Sequence, residues 1–482
     1  MTTHTIQRWL TLTALTVVTF LLLLDDTAVA VAQPAIQLRL GLNLQGLQWV
    51  INVYTLTIAA FILLAGQLAD RFGRRRVYLA GLAIFTLASL GAGLASSEAQ
   101  LIAMRAVQGL GAALVTPTAL AIIADAFPRS QRATALGIWA GVSASALGLG
   151  PLVGALINDS LGWRWIFLIN VPVGMAVWIL ARAVLRAGRP PRPSLRLDAA
   201  GAVISGTGLL ALILGLTQAN AAGWLSVRIV SLFLGAALCL ALFIRHERMT
   251  ADPLLRLSLF KDRAFAGANI QILLATSVMC SLFFFLALYL QTVLGYSALE
   301  AGAGLLPLTV TIVLVGPFAG RLADRIGPRV PVSTGMLLLA GALLGLSGLS
   351  VDSSISSLVP WLALAGFAIG LVTAPTTATA MGSTDTDGYG SAAAVFSTFQ
   401  TTGLTLGIAI MGAILASFGP GAAFARTIGD SHHEAFVRGF STALTVNAVI
   451  ALLAVVVALA MLRPTRGSSG PPNGAVSEET GP

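Results

Sequence analysis

Two adjacent carboxylates, Asp25 and Asp26, lie inside an apolar run of about residues 10–32, in the stretch Leu21-Leu22-Leu23-Leu24-Asp25-Asp26-Thr27-Ala28. A run of ~20 apolar residues crosses a bilayer. An ionised acid at its centre costs on the order of 2.5–3.5 kcal/mol even on insertion scales. Such acids persist where they face protein or a water-filled cavity, and there they can carry a proton or hold a cation. Neighbours on a helix point ~100° apart, so one acid is expected to line a cavity and the other to face an adjacent helix. A competing reading takes the run as a secretory signal with Ala30-Val31-Ala32 as its cleavage site, but acids do not belong between an apolar core and such a site.

A cation for these acids is available. The apolar run 100–124 contains Leu101-x-x-x-Arg105-x-x-Gln108-Gly109. A buried arginine stays charged and needs a partner. Asp25 lies ~15 residues, or ~22 Å, from the start of its span. Arg105 lies ~8 Å in from the opposite end of its own, which leaves it at about the same height in a ~30 Å core. Tyr54 falls near that level, and Gln108 continues the polar stripe one turn deeper. The alternative is that Arg105 snorkels to the surface. Burial makes a carboxylate costly to ionise, and a neighbouring guanidinium makes it cheaper. A group between those pulls can load a proton on one side and release it on the other. Asp25 is therefore the expected proton carrier and Arg105 its partner, with Glu300 or Asp26 as the fallback acid. Asp26, Tyr54, Gln108 and Gln400 are candidates for the wall of a substrate cavity.

The rest of the chain positions these groups. It has 482 residues, 56% hydrophobic and 10% charged, with mean hydropathy +0.88. Soluble domains carry roughly 25% charged residues, so the class is an all-α polytopic membrane protein. Fourteen apolar runs are present, at about 10–32, 48–69, 77–96, 100–124, 133–157, 165–185, 199–217, 227–245, 268–291, 300–321, 330–350, 358–381, 391–415 and 441–462. An even number puts both termini on one side. The loops on that side hold 22 of the 28 Lys and Arg residues, which makes it the cytoplasmic side. The net charge of +9 is thus a topology signal and not a nucleic-acid footprint. Cys239 and Cys280 sit in apolar runs, and no catalytic, metal-ligating or cofactor motif appears.

Gly66-Gln67-Leu68-Ala69-Asp70-Arg71-Phe72-Gly73-Arg74 recurs 254 residues later as Gly320-Arg321-Leu322-Ala323-Asp324-Arg325-Ile326-Gly327-Pro328. The two loops are eight spans apart, so two extra spans sit between duplicated halves. The expected layout is a six-helix bundle over 10–185, a linker at 186–198, two added helices over 199–245, a linker at 246–267, a second six-helix bundle over 268–462, and a disordered tail at 463–482. Repeated halves are the common plan of secondary transporters, with the site at their interface. Asp70 is placed to face a helix N-terminus, whose partial positive charge favours an acid. Gly150, Pro151 and Gly154 allow close crossing and a kink in span 5. Trp163 and Trp165 suit an interfacial belt.

These motifs resemble the major facilitator superfamily, and within it the fourteen-span drug:proton antiporters. The loop at 66–75 is similar to the superfamily's signature loop, Arg105-x-x-Gln108-Gly109 to its proton-linked motif, and Gly150-Pro151-x-x-Gly154 to its antiporter motif. Trp163-Arg164-Trp165-x-Phe167-x-Ile169-Asn170-x-Pro172-x-Gly174 and Leu24-Asp25-x-Thr27 with Pro34 resemble the fourteen-span subgroup. Ala30, Gln33 and Ala155 depart from it. The resemblance implies a major facilitator fold with two added helices, and a proton-driven exporter of hydrophobic or cationic drugs in a bacterial plasma membrane. It implies a monomer that needs only protons, substrate and lipid, with no cofactor beyond the proton-motive force. By the same match Gly66, Asp70, Arg71, Gly73, Arg74, Asp324 and Arg325 form the conformational switch. Asp70 then braces the inner side near Ser391, and Asp26 is the variable position, for which a helix-facing role is favoured. A dedicated exporter of one metabolite is the runner-up. A non-transporting receptor is the remote alternative.

Overall fold

The computed structural model describes residues 3–42, 44–185, 196–383, 389–418 and 430–462. All regular structure among them is helical. The first half comprises α1 (Thr3–Leu40), α2 (Leu44–Phe72), α3 (Arg74–Gly93), α4 (Glu98–Ala126), α5 (Arg129–Leu161), α6 (Arg164–Leu168) and α7 (Asn170–Val184). A hairpin follows, α8 (Ala199–Ala222) and α9 (Val227–Met249). The second half comprises α10 (Arg263–Thr292), α11 (Ala298–Gly304), α12 (Leu306–Ile326), α13 (Arg329–Leu346), α14 (Ile355–Gly382), α15 (Tyr389–Ser417) and α16 (Asp430–Met461). With α6–α7 and α11–α12 each counted as one crossing, 14 helices among the described residues are long and apolar enough to span a membrane. Every expected run is there.

The ends differ for physical reasons. α1 runs from Thr3 to Leu40 rather than over 10–32, because backbone hydrogen bonding continues past the point where apolar side chains stop. The sixth span, expected unbroken, is interrupted at Ile169. Pro172 has no N–H to donate to the carbonyl of Leu168, so the ladder fails there. Pro307 interrupts the tenth span in the same way, between Gly304 and Leu306. Most of the expected linker (186–195) and the tail at 463–482 lie outside the described residues.

One buried cluster joins residues of α1–α5 to Ala380, Met381 and the 389–396 stretch of the second half. The halves are therefore packed together at the face that carries the repeated loops. Ala28 and Trp163 belong to the opposite end, where the buried cluster draws on the first half alone. The α8–α9 hairpin lies against α2 and α15. It is tied down by Gln67, which donates to the carbonyls of Arg196 (3.3 Å) and Asp252 (3.2 Å) and accepts the Asp198 N–H (3.0 Å). Asp198 in turn caps α8 through the Gly201 N–H and contacts His246 of α9 at 2.8 Å.

Candidate functional site

The guanidinium of Arg105 lies fully buried between α1, α2 and α4. Its Nη1 donates to Asp25 Oδ2 at 2.5 Å and to Gln108 Oε1 at 3.2 Å, and its Nη2 reaches Asp26 Oδ1 at 3.3 Å. Its Nε donates to the carbonyl of Val50 at 3.2 Å. The ring of Tyr54 lies under the cation at 4.3 Å. The expected Asp25–Arg105 juxtaposition is thus present, and snorkelling is not. The expectation that the two acids part company needs correction. Two carboxylates ~100° apart on one helix can both meet a planar fork whose terminal nitrogens point in different directions. Asp25 is the sealed member (0% exposed) and Asp26 the open one, with 35% of its side chain exposed. Asp26 meets the neighbouring helix α4 through Arg105 while part of its side chain stays exposed.

Two residues that sequence reasoning passed over complete the cluster. Asn170, the first residue of α7, donates from Nδ2 to Asp25 Oδ1 at 2.6 Å. Ser89 of α3 accepts from Gln108 Nε2 at 2.7 Å and lies 3.5 Å from Asn170 Nδ2. Asn170 stood inside the tryptophan-rich motif, but nothing local marked it as reaching a helix 145 residues away. With both acids ionised the cluster carries one more negative than positive charge. It can reach neutrality by taking one proton or one cation.

The other cavity candidates fall elsewhere. Tyr54 is buried with its hydroxyl on the carbonyl of Leu22, and Gln108 is fully enclosed, so both support the cluster rather than wall a cavity. Gln400 sits half-buried on α15, its main-chain carbonyl accepting from Thr276 at 3.2 Å, and makes no contact with the cluster among the described residues. Glu300 forms a capping box with Ser297 at the exposed start of α11, well suited to starting a helix and not to carrying a proton. Trp163 is buried, so only Trp165 takes an exposed belt position.

On α5, a Cβ at Gly150 would fall 1.7 Å from the hydroxyl oxygen of Thr27, and one at Gly154 would strike Ala28. The Gly150-Pro151-x-x-Gly154 segment thus lets α5 press on the α1 turn that follows the acids, where Thr27 also donates to the carbonyl of Ala146 at 3.3 Å.

The loop copies cross over to opposite halves. Asp70 lies at the first turn of α15, with the Ser391 hydroxyl at 3.5 Å, and Gly66 packs on Gly390 and Ala394. Arg74 bridges Asp70 (3.7 Å) and Asp125 of α4 (3.5 Å). Arg74 and Arg132 also flank the ring of Tyr389, the first residue of α15. Asp324 meets the first turn of α5, where the Ala133 N–H donates to it. Gly73 (φ 94°) and Gly327 (φ 85°) end the two loops in a conformation that side chains resist. Arg71 is half-buried against Phe72, while Arg325 is exposed.

A family model described as Major Facilitator Superfamily matches residues 15–408 and, in a second match, 309–481. The chain belongs to the major facilitator superfamily. A relative from Streptomyces glaucescens, the tetracenomycin C resistance and export protein, is 34% identical over 94% of this chain and 91% of its own length. The cephamycin export protein CmcT of Amycolatopsis lactamdurans is 36% identical over 92% of both chains. The multidrug resistance protein Stp of Mycobacterium tuberculosis is 36% identical over 85% of this chain and 76% of its own. Among solved structures, the human organic anion transporter MFSD10 superposes with a TM-score of 0.62 at 16% identity, covering 93% of this chain and 99% of that one, a likeness of fold.

Within this major facilitator chain, the second half carries a neutral counterpart of the cluster. Asn447 of α16 donates to the Ser281 hydroxyl of α10 at 2.9 Å, with the Met411 sulfur at 3.9 Å. Both are buried.

Proposed function

We propose that this transporter exchanges protons for hydrophobic or cationic small molecules and exports them across a bacterial plasma membrane by alternating access, with both termini cytoplasmic. The observation that carries the reading is one guanidinium faced by two carboxylates within the spans. Asp25, sealed from solvent, holds the proton. Asp26, partly exposed, meets the substrate's positive charge. A drug cation that docks at Asp26 makes the cluster electrically equivalent to the protonated state, so the two ligands compete without sharing an oxygen. The loops carrying Asp70 and Asp324 then clamp and release the basic face as the halves rock. The chain works as a monomer, without cofactor or nucleic acid.

The test uses proteoliposomes. Asp25→Asn abolishes substrate-induced proton release and uphill export, and a protonophore abolishes uphill export by the unaltered protein. Asp26→Asn weakens binding of cationic substrates while neutral ones still release protons. Normal proton release from Asp25→Asn would overturn the reading. For topology, a cysteine placed at residue 470 reacts with an impermeant label only after lysis.

The names of the tetracenomycin and cephamycin relatives favour a narrower second reading, export of one secondary metabolite. A substrate panel separates the two: a single transported compound supports the narrow reading, several unrelated ones the broad.

A further inference from the structure

The contacts around Asp25 determine where a proton can sit. Its Oδ2 faces the Arg105 Nη1–H, a donor that never accepts. The other oxygen, Oδ1, receives Asn170 Nδ2–H at 2.6 Å and lies 3.5 Å from Gln108 Nε2. Both of those are also donors. Protonated, Oδ1 would point its hydrogen at other hydrogens unless a neighbour turned an acceptor toward it. The Oε1 of Gln108 is taken by Arg105, and the Oγ of Ser89 is taken by Gln108. Each of these already accepts one hydrogen bond, whereas one neighbouring acceptor has none among the described residues. The Oδ1 of Asn170 is buried and has no hydrogen-bond partner among the described residues. An amide carries its donor and acceptor on one planar group, and a half-turn about its last torsion exchanges them.

We infer that Asn170 is a positioning residue that reads the protonation state of Asp25: its Nδ2–H donates to the carboxylate, and its Oδ1, brought round by rotation of the amide, accepts from the carboxylic acid. The 2.6 Å separation is short for N–H···O and central for O–H···O, so the rotated amide oxygen fits where the nitrogen now sits. The location adds a consequence. Asn170 starts α7 directly after the break at Ile169, so the amide that turns belongs to a helix end that is not locked into a continuous ladder. The charged and titratable groups facing this site are Arg105 of α4, Asp26 of α1 and Tyr54 of α2, with Cys280 of α10 in electrostatic reach of Asp26. From α3 comes the neutral Ser89, and α5 meets α1 through Gly150 and Gly154.

This inference rests on the proposal that Asp25 is the proton carrier, and the experiment separates the two. Difference infrared spectra of the full-length transporter with isotope-labelled asparagine are recorded across a pH titration. On acidification one asparagine carbonyl band moves to lower frequency as it gains a hydrogen bond, with the same midpoint as the carboxylic-acid band of Asp25. The band shift is absent in Asn170→Leu. In that variant both forms of Asp25 lose their amide partner, so substrate-induced proton release slows several-fold while its pH midpoint stays near the parent's. Asn170→Ser, whose hydroxyl both donates and accepts, recovers part of the lost rate. If the unaltered protein shows the Asp25 acid band but no asparagine band moving with it, the amide switch is wrong and the proton-carrier reading stands. If no acid band depends on Asp25, the carrier reading itself fails. Proton release at the parent's rate in a folded Asn170→Leu also overturns the switch.

Discussion

The first and sixth crossings of each half are joined by an asparagine, and the two joints differ in what they hold. In the first half Asn170 grips Asp25, beside an arginine and a second acid. In the second half Asn447 grips Ser281, beside a thioether. The fourth crossing explains the contrast. α4 supplies Arg105, whereas α14 (Ile355–Gly382) has no charged side chain along its length. The same bracing geometry therefore serves as a charge device on one side and as ordinary buried polar packing on the other. The loops repeat the lesson. The Asp70 copy is wired through Arg74 to Asp125, while Pro328 stands in the Arg74 position of the other copy and removes that wire.

The sharpest way to break the comparison is Arg105→Ala. It strands two acids in the membrane interior, and truncating one partner of a buried ion pair costs on the order of 3–5 kcal/mol. Thermal unfolding in detergent should show that loss at neutral pH and a partial recovery on acidification, as the acids become neutral. A variant as stable as the parent would mean the cluster is not an electrostatic unit. Asn447→Leu should cost less, about 0.5–1.5 kcal/mol for one lost hydrogen bond, because the Ser281 hydroxyl keeps its bond to the Ser277 carbonyl at 2.8 Å. The pH midpoint of transport should stay where it is; a shift would show that the second half also titrates. Between the loops, Asp70→Asn should slow turnover roughly tenfold, the scale of 1.4 kcal/mol, with equilibrium substrate binding unchanged. Asp324→Asn should slow it less, since Pro328 stands where the first copy has the bridging Arg74. Equal effects would make the Arg74 bridge irrelevant. The smallest effect is expected for Arg325→Ala, an exposed side chain whose removal should stay within about 0.5 kcal/mol of the parent.

The spans were legible because membranes impose a length on apolar runs, and the pairing of Asp25 with Arg105 was legible because depth along a span can be counted. Azimuth cannot be counted. Nothing in the sequence says which way Tyr54 points, so a ring that lies beneath the guanidinium was taken for a cavity wall. The 100° rule was sound for the backbone of Asp25 and Asp26 and wrong for their partners, because a guanidinium is wide enough to collect both. Asn170 stands out in the sequence only as one position of the tryptophan-rich motif; its role depends on α7 lying beside α1, a matter of packing. The break before it was legible in principle, in the missing N–H of Pro172.

The Gln67 tie has a consequence for how the protein is made. Its partners, Arg196, Asp198 and Asp252, lie 129 to 185 residues downstream. A ribosome must therefore deliver all of α8 and α9 to the membrane before α2 can close its last polar contacts. Until then the amide of Gln67 is held open at the membrane edge, next to a loop whose acid waits still longer for α15. Assembly of the first bundle is thus finished from outside it, in two instalments, and the helix hairpin between the halves arrives first.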